Sequence, residues 1–211
     1  MRLALLSVNT GTPTQIGEQD GDPVISAIGK TPVETDTIVI APDGIVGDAQ
    51  ADRTVHGGAD KALYVYPDDN WPWWRDKMQF PCAPGAFGEN LTVSGADETT
   101  VRIGDRFQWG ETVLEVCQPR SPCYKFQMYS GRLDAAALMT ISGRCGWYLR
   151  VLEPGEVRID ASMDRIFEGD GATVREAFHA AFNRRLSRDV RAQIAAHSAL
   201  SQAWRAMIVG G

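Results

Sequence analysis

Histidine and cysteine are both scarce in this 211-residue sequence, and their scarcity excludes several kinds of chemistry. The three histidines are His56, His179 and His197, and His56 is the only one in the β part of the chain. The four cysteines, Cys82, Cys117, Cys123 and Cys145, form no C-x-x-C pair and lack the spacing of zinc or iron–sulfur ligands. Scattered thiols in a chain of this size read as reduced cytoplasmic cysteines rather than a disulfide framework. Basic residues are also in deficit: 21 Lys and Arg stand against 27 Asp and Glu, giving a net charge of −6. That balance argues against a sequence-independent grip on nucleic acid, and no polybasic segment offers a hold on a membrane surface. No apolar run approaches membrane-spanning length. The apolar stretch after Met1 is interrupted within a few residues and reads as a β-strand rather than a leader. Missing too are G-x-x-x-x-G-K-[ST], a G-x-G-x-x-G after a strand and a G-x-S-x-G elbow, which removes the usual marks of nucleotide motors, dinucleotide enzymes and serine hydrolases.

What is present is β punctuation. Short apolar or alternating runs separated by Gly, Pro and Asp predict strands over 3–8, 37–40, 63–66, 90–93, 101–109, 112–118, 146–152 and 157–159. A two-residue Gly110-Glu111 loop predicts a hairpin between Trp109 and Thr112. A second hairpin is expected where 147–152 turns through Glu153-Pro154-Gly155-Glu156 into 157–159. Many short strands with such turns point to a barrel or sandwich, and closure removes exposed edges. Helices are expected over 68–78 and 133–141.

After Gly169-Asp170-Gly171 the period changes to that of helices. Val174, Ala177, Phe178, Ala181 and Phe182 share one helical face, and Thr173 with Glu176 makes a capping box. Ser187 and Ser198 are candidate caps of two further helices. The chain thus divides into a β domain, 1–168, and a three-helix appendage, 172–209. The arginines of that appendage form a solvated face or a surface for an acidic partner.

Chemistry concentrates in a few polar loops. Pro119-Arg120-Ser121-Pro122-Cys123 follows a strongly patterned strand; the prolines stop the ladder, and the thiol rides a stiff loop beside a permanent cation. A neighbouring cation favours the thiolate, the form that binds metals and attacks electrophiles. Upstream, Val55-His56-Gly57-Gly58 combines a histidine with paired glycines whose N–H groups can cradle an anion. Phe87-Gly88-Glu89-Asn90-Leu91 brings an acceptor and an amide to the mouth of a strand. Taken singly these segments are equally compatible with turns and structural contacts.

Together and in this order, Gly47-Asp48, 55–58, 87–91, Ile103-Gly104-Asp105 and Gln118 to Cys123 resemble the MOSC domain, the C-terminal domain of molybdenum cofactor sulfurases. The helical tail is similar to that of the stand-alone YiiM-like branch. The resemblance implies a MOSC-type β-barrel with a few inserted helices and a C-terminal three-helix appendage. It implies a cleft for the molybdenum cofactor (molybdopterin) with Cys123 as metal ligand, and cofactor contacts at His56, Gly57, Gly58, Glu89, Asn90, Arg120 and Ser121. His56 or Glu89 would relay protons. The activity implied is a molybdenum-dependent oxidoreductase that reduces N-hydroxylated small molecules, such as N-hydroxylated nucleobases, with electrons from a separate reductase. Two alternatives stay open: a sulfur carrier or sulfurtransferase cycling Cys123 through a persulfide, and a non-enzymatic cofactor-binding module.

Overall fold

The alternating runs become thirteen strands and six α-helices in a computed structural model that describes residues 1–49, 58–183 and 186–210. The first six strands are β1 (Arg2–Thr10), β2 (Thr14–Gln19), β3 (Asp22–Ser26), β4 (Thr31–Pro32), β5 (Thr37–Ala41) and β6 (Gly44–Ile45). Then come β7 (Leu63–Pro67), α1 (Trp71–Met78), β8 (Leu91–Ser94), β9 (Arg106–Trp109) and β10 (Thr112–Pro119). The cysteine loop leads into α2 (Tyr124–Ser130) and α3 (Ala135–Ser142), followed by β11 (Trp147–Glu153), β12 (Gly155–Arg158) and β13 (Met163–Phe167). The tail is α4 (Val174–Phe182), α5 (Arg188–Ala195) and α6 (Gln202–Gly210). No helix among the described residues is long and apolar enough to cross a membrane.

Seven strands close into a barrel in the order β1, β13, β9, β10, β11, β7, β8 and back to β1. Closure is made by the short β13, whose Met163 and Asp164 face Leu3 and Arg2 of β1. All pairs in the ring are antiparallel except β7 with β8, which α1 connects as a crossover. Every residue of β10 is buried, because barrel and tail cover its two faces. Inside, Tyr66 stacks on Phe87 at 3.9 Å, and Trp74, Phe80 and Phe126 surround that pair. The mainly β barrel with inserted helices and helical tail is the architecture expected above.

Three local expectations change, and one hairpin is new. The strand expected over 101–109 begins only at Arg106, because the buried Asp105 carboxylate accepts the Arg102 and Gly169 N–H groups and folds the chain into a turn. The second hairpin does not form: one residue, Pro154, separates β11 from β12, too little to reverse the chain, and β12 pairs with the distant β5. The β2–β3 hairpin was not foreseen, although its Asp20-Gly21 turn takes positive φ at both residues (54° and 90°), as a type I′ turn requires. The last helix starts after Ser201, whose Oγ accepts the Trp204 N–H at 3.2 Å, rather than after Ser198.

The tail is not a separate core. Phe178, Trp204 and Ile208 belong to the same buried cluster as the barrel residues. The Ser201 N–H donates to the Cys117 carbonyl of β10 at 2.9 Å, and Arg150 of β11 donates to the Ala199 carbonyl. Arg175, expected on a solvated arginine face, instead turns toward the buried Glu98 carboxylate at 3.5 Å.

Candidate functional site

The site begins where β10 ends. Pro119 is the last ladder residue, and the loop after it delivers Cys123 as the N-cap of α2, with Sγ accepting the Lys125 N–H at 3.3 Å. The four thiols now separate. Cys82, Cys117 and Cys145 are buried, and burial pushes Cys82 up to about 11 and Cys117 up to about 12, with Cys145 also raised. These three are held as thiols in ordinary conditions. Cys123 alone is half-exposed, on the wall of a cavity of about 540 Å³.

Four cations line that cavity with it: Lys30, Lys61, Arg120 and Lys125. Arg120, placed by its backbone bond to the Gly146 carbonyl, lies buried between the rings of Tyr64 (4.9 Å) and Phe126 (5.3 Å). Burial works against its charge, but the facing Tyr64, Tyr148 and Cys123 groups more than offset this and raise its pKa. Lys61 sits on the short helical turn Ala59–Lys61 that follows Gly58. Burial lowers its pKa, opposed by Cys123 and Asp60. Lys30 is also lowered by burial and is paired with Asp48, Nζ to Oδ2 at 2.6 Å.

The residues singled out by sequence fall into three groups. Cys123, Arg120, Ser121 and Asn90 line the cavity together. Asn90 is also a clamp, accepting the Tyr64 N–H and donating to Asp48 Oδ2 at 2.8 Å and to the Asn9 carbonyl. Gly58 stands beside Lys61's turn, at φ 95°, whereas His56 and Gly57 lie outside the described residues. Glu89 does not line the cavity. Glu89 lies in the turn that precedes β8, where Gly88 takes a positive φ; Gly88 and Asn90 reach the cleft and Glu89 turns into the fold. There its carboxylate accepts the N–H groups of Gly85 and Phe87 and the Thr92 hydroxyl, at 2.8–2.9 Å. Gly88, at φ 77°, could not carry a side chain, because a Cβ would lie 2.7 Å from Ile28.

Glu89 gives a pH prediction. Burial pushes its carboxyl up to about 7, against the three donors. A folded pKa above the ordinary carboxylate value favours the neutral form, so its contribution is complete at low pH and fades as pH rises toward 7. Between about pH 4.5 and 7 the wild type should lose on the order of 3 kcal/mol relative to Glu89→Gln, whose side chain does not titrate. Urea unfolding of both proteins across this range checks it; parallel pH profiles would count against it.

Sequence reading missed much of the wall. Lys30, Lys61, Tyr64 and Tyr148 carry no motif, and Trp204 and Met207 of α6 looked like packing residues yet line the cavity. Gln118 opens the cysteine segment. It is 1% exposed, and its Oε1 has no hydrogen-bond partner among the described residues.

This constellation has known relatives. The MOSC domain matches residues 52–164, and the YiiM-like, 3-alpha helix domain matches 173–209. The chain belongs to the MOSC domain family. This MOSC protein is 37% identical over 183 residues to protein YiiM of Escherichia coli, an alignment covering 85% of this chain and 81% of that one. It is similar to the crystal structure of YiiM from Geobacillus stearothermophilus, with a TM-score of 0.81, 29% identity and coverage of 98% and 97% of the two chains. A protein of Gibberella moniliformis named a reductase is 37% identical over 120 residues, 54% of this MOSC chain and 21% of that protein.

Proposed function

We propose that this MOSC protein is an oxidoreductase in which Cys123 holds the molybdenum of a pterin cofactor while an N-hydroxylated small molecule is reduced in the same cleft. One observation carries the reading: the single half-exposed thiol stands on the wall of a roomy cavity lined by four cations. A thiolate is a soft ligand suited to such a metal. Among the described residues no three acidic, histidine or cysteine side chains converge, and a single thiolate suits a metal that brings its own organic ligand. Arg120, Lys61 and Lys125 fit a phosphate through charge-assisted bonds. The reductase name of the fungal relative supports a redox role.

When bound, the cofactor supplies the electron chemistry: the N–O bond breaks, two electrons and two protons are taken up, and the oxygen leaves as water. The chain's own residues do the rest. The Pro-flanked loop and the Lys125 N–H fix the direction of the Cys123 sulfur. Tyr64 and Phe126 hold the Arg120 guanidinium in one plane. Lys61, which lines the cavity with its pKa lowered by burial, would pass a proton at Nζ, with His56 as a second proton carrier. A separate reductase protein delivers the electrons. The free thiols suit a reducing compartment, and the cytoplasm is the proposed location.

Metal and pterin analysis of protein made in a cofactor-proficient host tests the reading, with about one molybdenum per chain as the expected result. Protein carrying neither metal nor pterin, and a mass gain of one sulfur at Cys123, would establish the persulfide carrier instead. Bound cofactor without turnover of any N-hydroxylated compound would establish the storage module.

A further inference from the structure

The cavity wall is of two kinds. The thiol and its cations come from the cysteine loop, α2 and the segments that connect strands, whereas Ala203, Trp204 and Met207 are supplied by one face of α6. That helix is tied to the barrel. The Ser201 N–H donates to the Cys117 carbonyl, the residue before Gln118, and Trp204 is 2% exposed with Phe178 and Phe182 packed on it at about 6 Å. Met207 is 37% exposed, so its thioether is free to meet a ligand. Gln118 lines the cavity together with this apolar face, and its Oε1 is buried with no hydrogen-bond partner among the described residues. Native folds rarely bury an acceptor that nothing completes, and such a group in a cleft marks a ligand contact.

We propose that Gln118 and the Ala203–Trp204–Met207 face of the C-terminal helix form the substrate-recognition wall of this cleft. Gln118 Oε1 accepts an N–H from the edge of a planar heterocycle whose face lies against α6. The assignment rests on the proposed reductase reading for its substrate, but the wall itself stands on the cavity. It makes the tail a determinant of substrate shape and not only a brace for β10.

The test uses full-length protein from a cofactor-proficient host, as wild type, Gln118→Leu and Met207→Trp. Three quantities are read: molybdenum and pterin content, KM and kcat, and calorimetric binding of plain cytosine, which has no N–O bond to reduce. N-hydroxycytosine is compared with phenylhydroxylamine, which lacks a ring N–H. Gln118→Leu should keep its cofactor, raise KM for N-hydroxycytosine about tenfold with kcat little changed, weaken cytosine binding similarly, and leave KM for phenylhydroxylamine within about twofold. Met207→Trp should narrow the wall and raise KM for both. Loss of cofactor from Gln118→Leu would overturn the proposal, because the amide oxygen would then serve the pterin. Equal changes in KM for the two probes in Gln118→Leu would overturn it as well. If loaded wild type reduces neither probe, the reductase reading fails and cytosine binding alone decides the wall: weaker binding by Gln118→Leu supports it, and unchanged binding overturns it.

Discussion

Replacing Cys123 with serine is expected to abolish molybdenum-dependent reduction, lowering kcat on the order of 10³-fold or more, while leaving the barrel folded. A hydroxyl is not deprotonated near neutral pH and is a hard ligand, so it cannot replace the thiolate as an anchor for this metal. The structural cost is small for two reasons. The side chain is half-exposed, so no core volume is lost. Its local duty is to cap α2 by accepting the Lys125 N–H, which a serine oxygen does at least as well. Urea unfolding should therefore place the variant within about 1 kcal/mol of wild type, while metal analysis shows the molybdenum gone. Cys117→Ser provides the contrast. Its Sγ is buried and directed at the Asp60 and Tyr148 carbonyls, so that change should alter stability and leave the metal in place. Unchanged molybdenum content and turnover in Cys123→Ser would refute the metal-ligand role.

The parts legible from sequence are those fixed by local chemistry. Pro119 and Pro122 end β10 whatever lies around them, and the Gly110-Glu111 loop sets the β9–β10 hairpin because both strands are adjacent in the chain. Thr173 and Glu176 form their capping box within four residues. Partners set by distant chain were not legible. Nothing near 155–158 indicates that β12 will meet β5, and β13, with Ile166 and Phe167 exposed, lacks the apolar alternation that marks a strand. The site divides in the same way. Cys123, Arg120 and Ser121 share one loop and were found together, whereas Lys30 and Lys61 come to the cavity from other parts of the chain. Glu89 was misplaced because a motif gives residue order but not facing. In the turn ahead of β8 its carboxylate goes to the Gly85 and Phe87 N–H groups, away from the cleft that its neighbours Gly88 and Asn90 line.

Asp48→Ala should cost about 3–5 kcal/mol, the usual penalty for removing one partner of a buried ion pair. The carboxylate is a hub with 7% of its side chain exposed. It takes the Lys30 ammonium at 2.6 Å, the Gly11 N–H at 2.8 Å and the Asn90 amide at 2.8 Å. Without it, Lys30, whose side chain is 8% exposed, is left as a buried cation that has lost its ion-pair partner. Asn90 keeps its bond to the Asn9 carbonyl but loses the link that fixes it against the cleft. Asp48→Asn should cost less, because its amide oxygen still accepts the Gly11 N–H. The double change Lys30→Met with Asp48→Asn should recover part of the loss, since no unpaired charge remains. A pH signature follows from Lys30. Burial already lowers its pKa, with Asp48 the main group opposing that shift, so in Asp48→Ala the folded state releases this proton at a lower pH than the unfolded chain does. Stability of the variant must then rise with pH through that interval, and its deficit against wild type should shrink toward alkaline pH. Urea unfolding of the four proteins at several pH values measures all of this. A deficit that stays constant with pH, or a double variant no more stable than Asp48→Ala, would show that the pair contributes shape to the cavity wall and not charge balance.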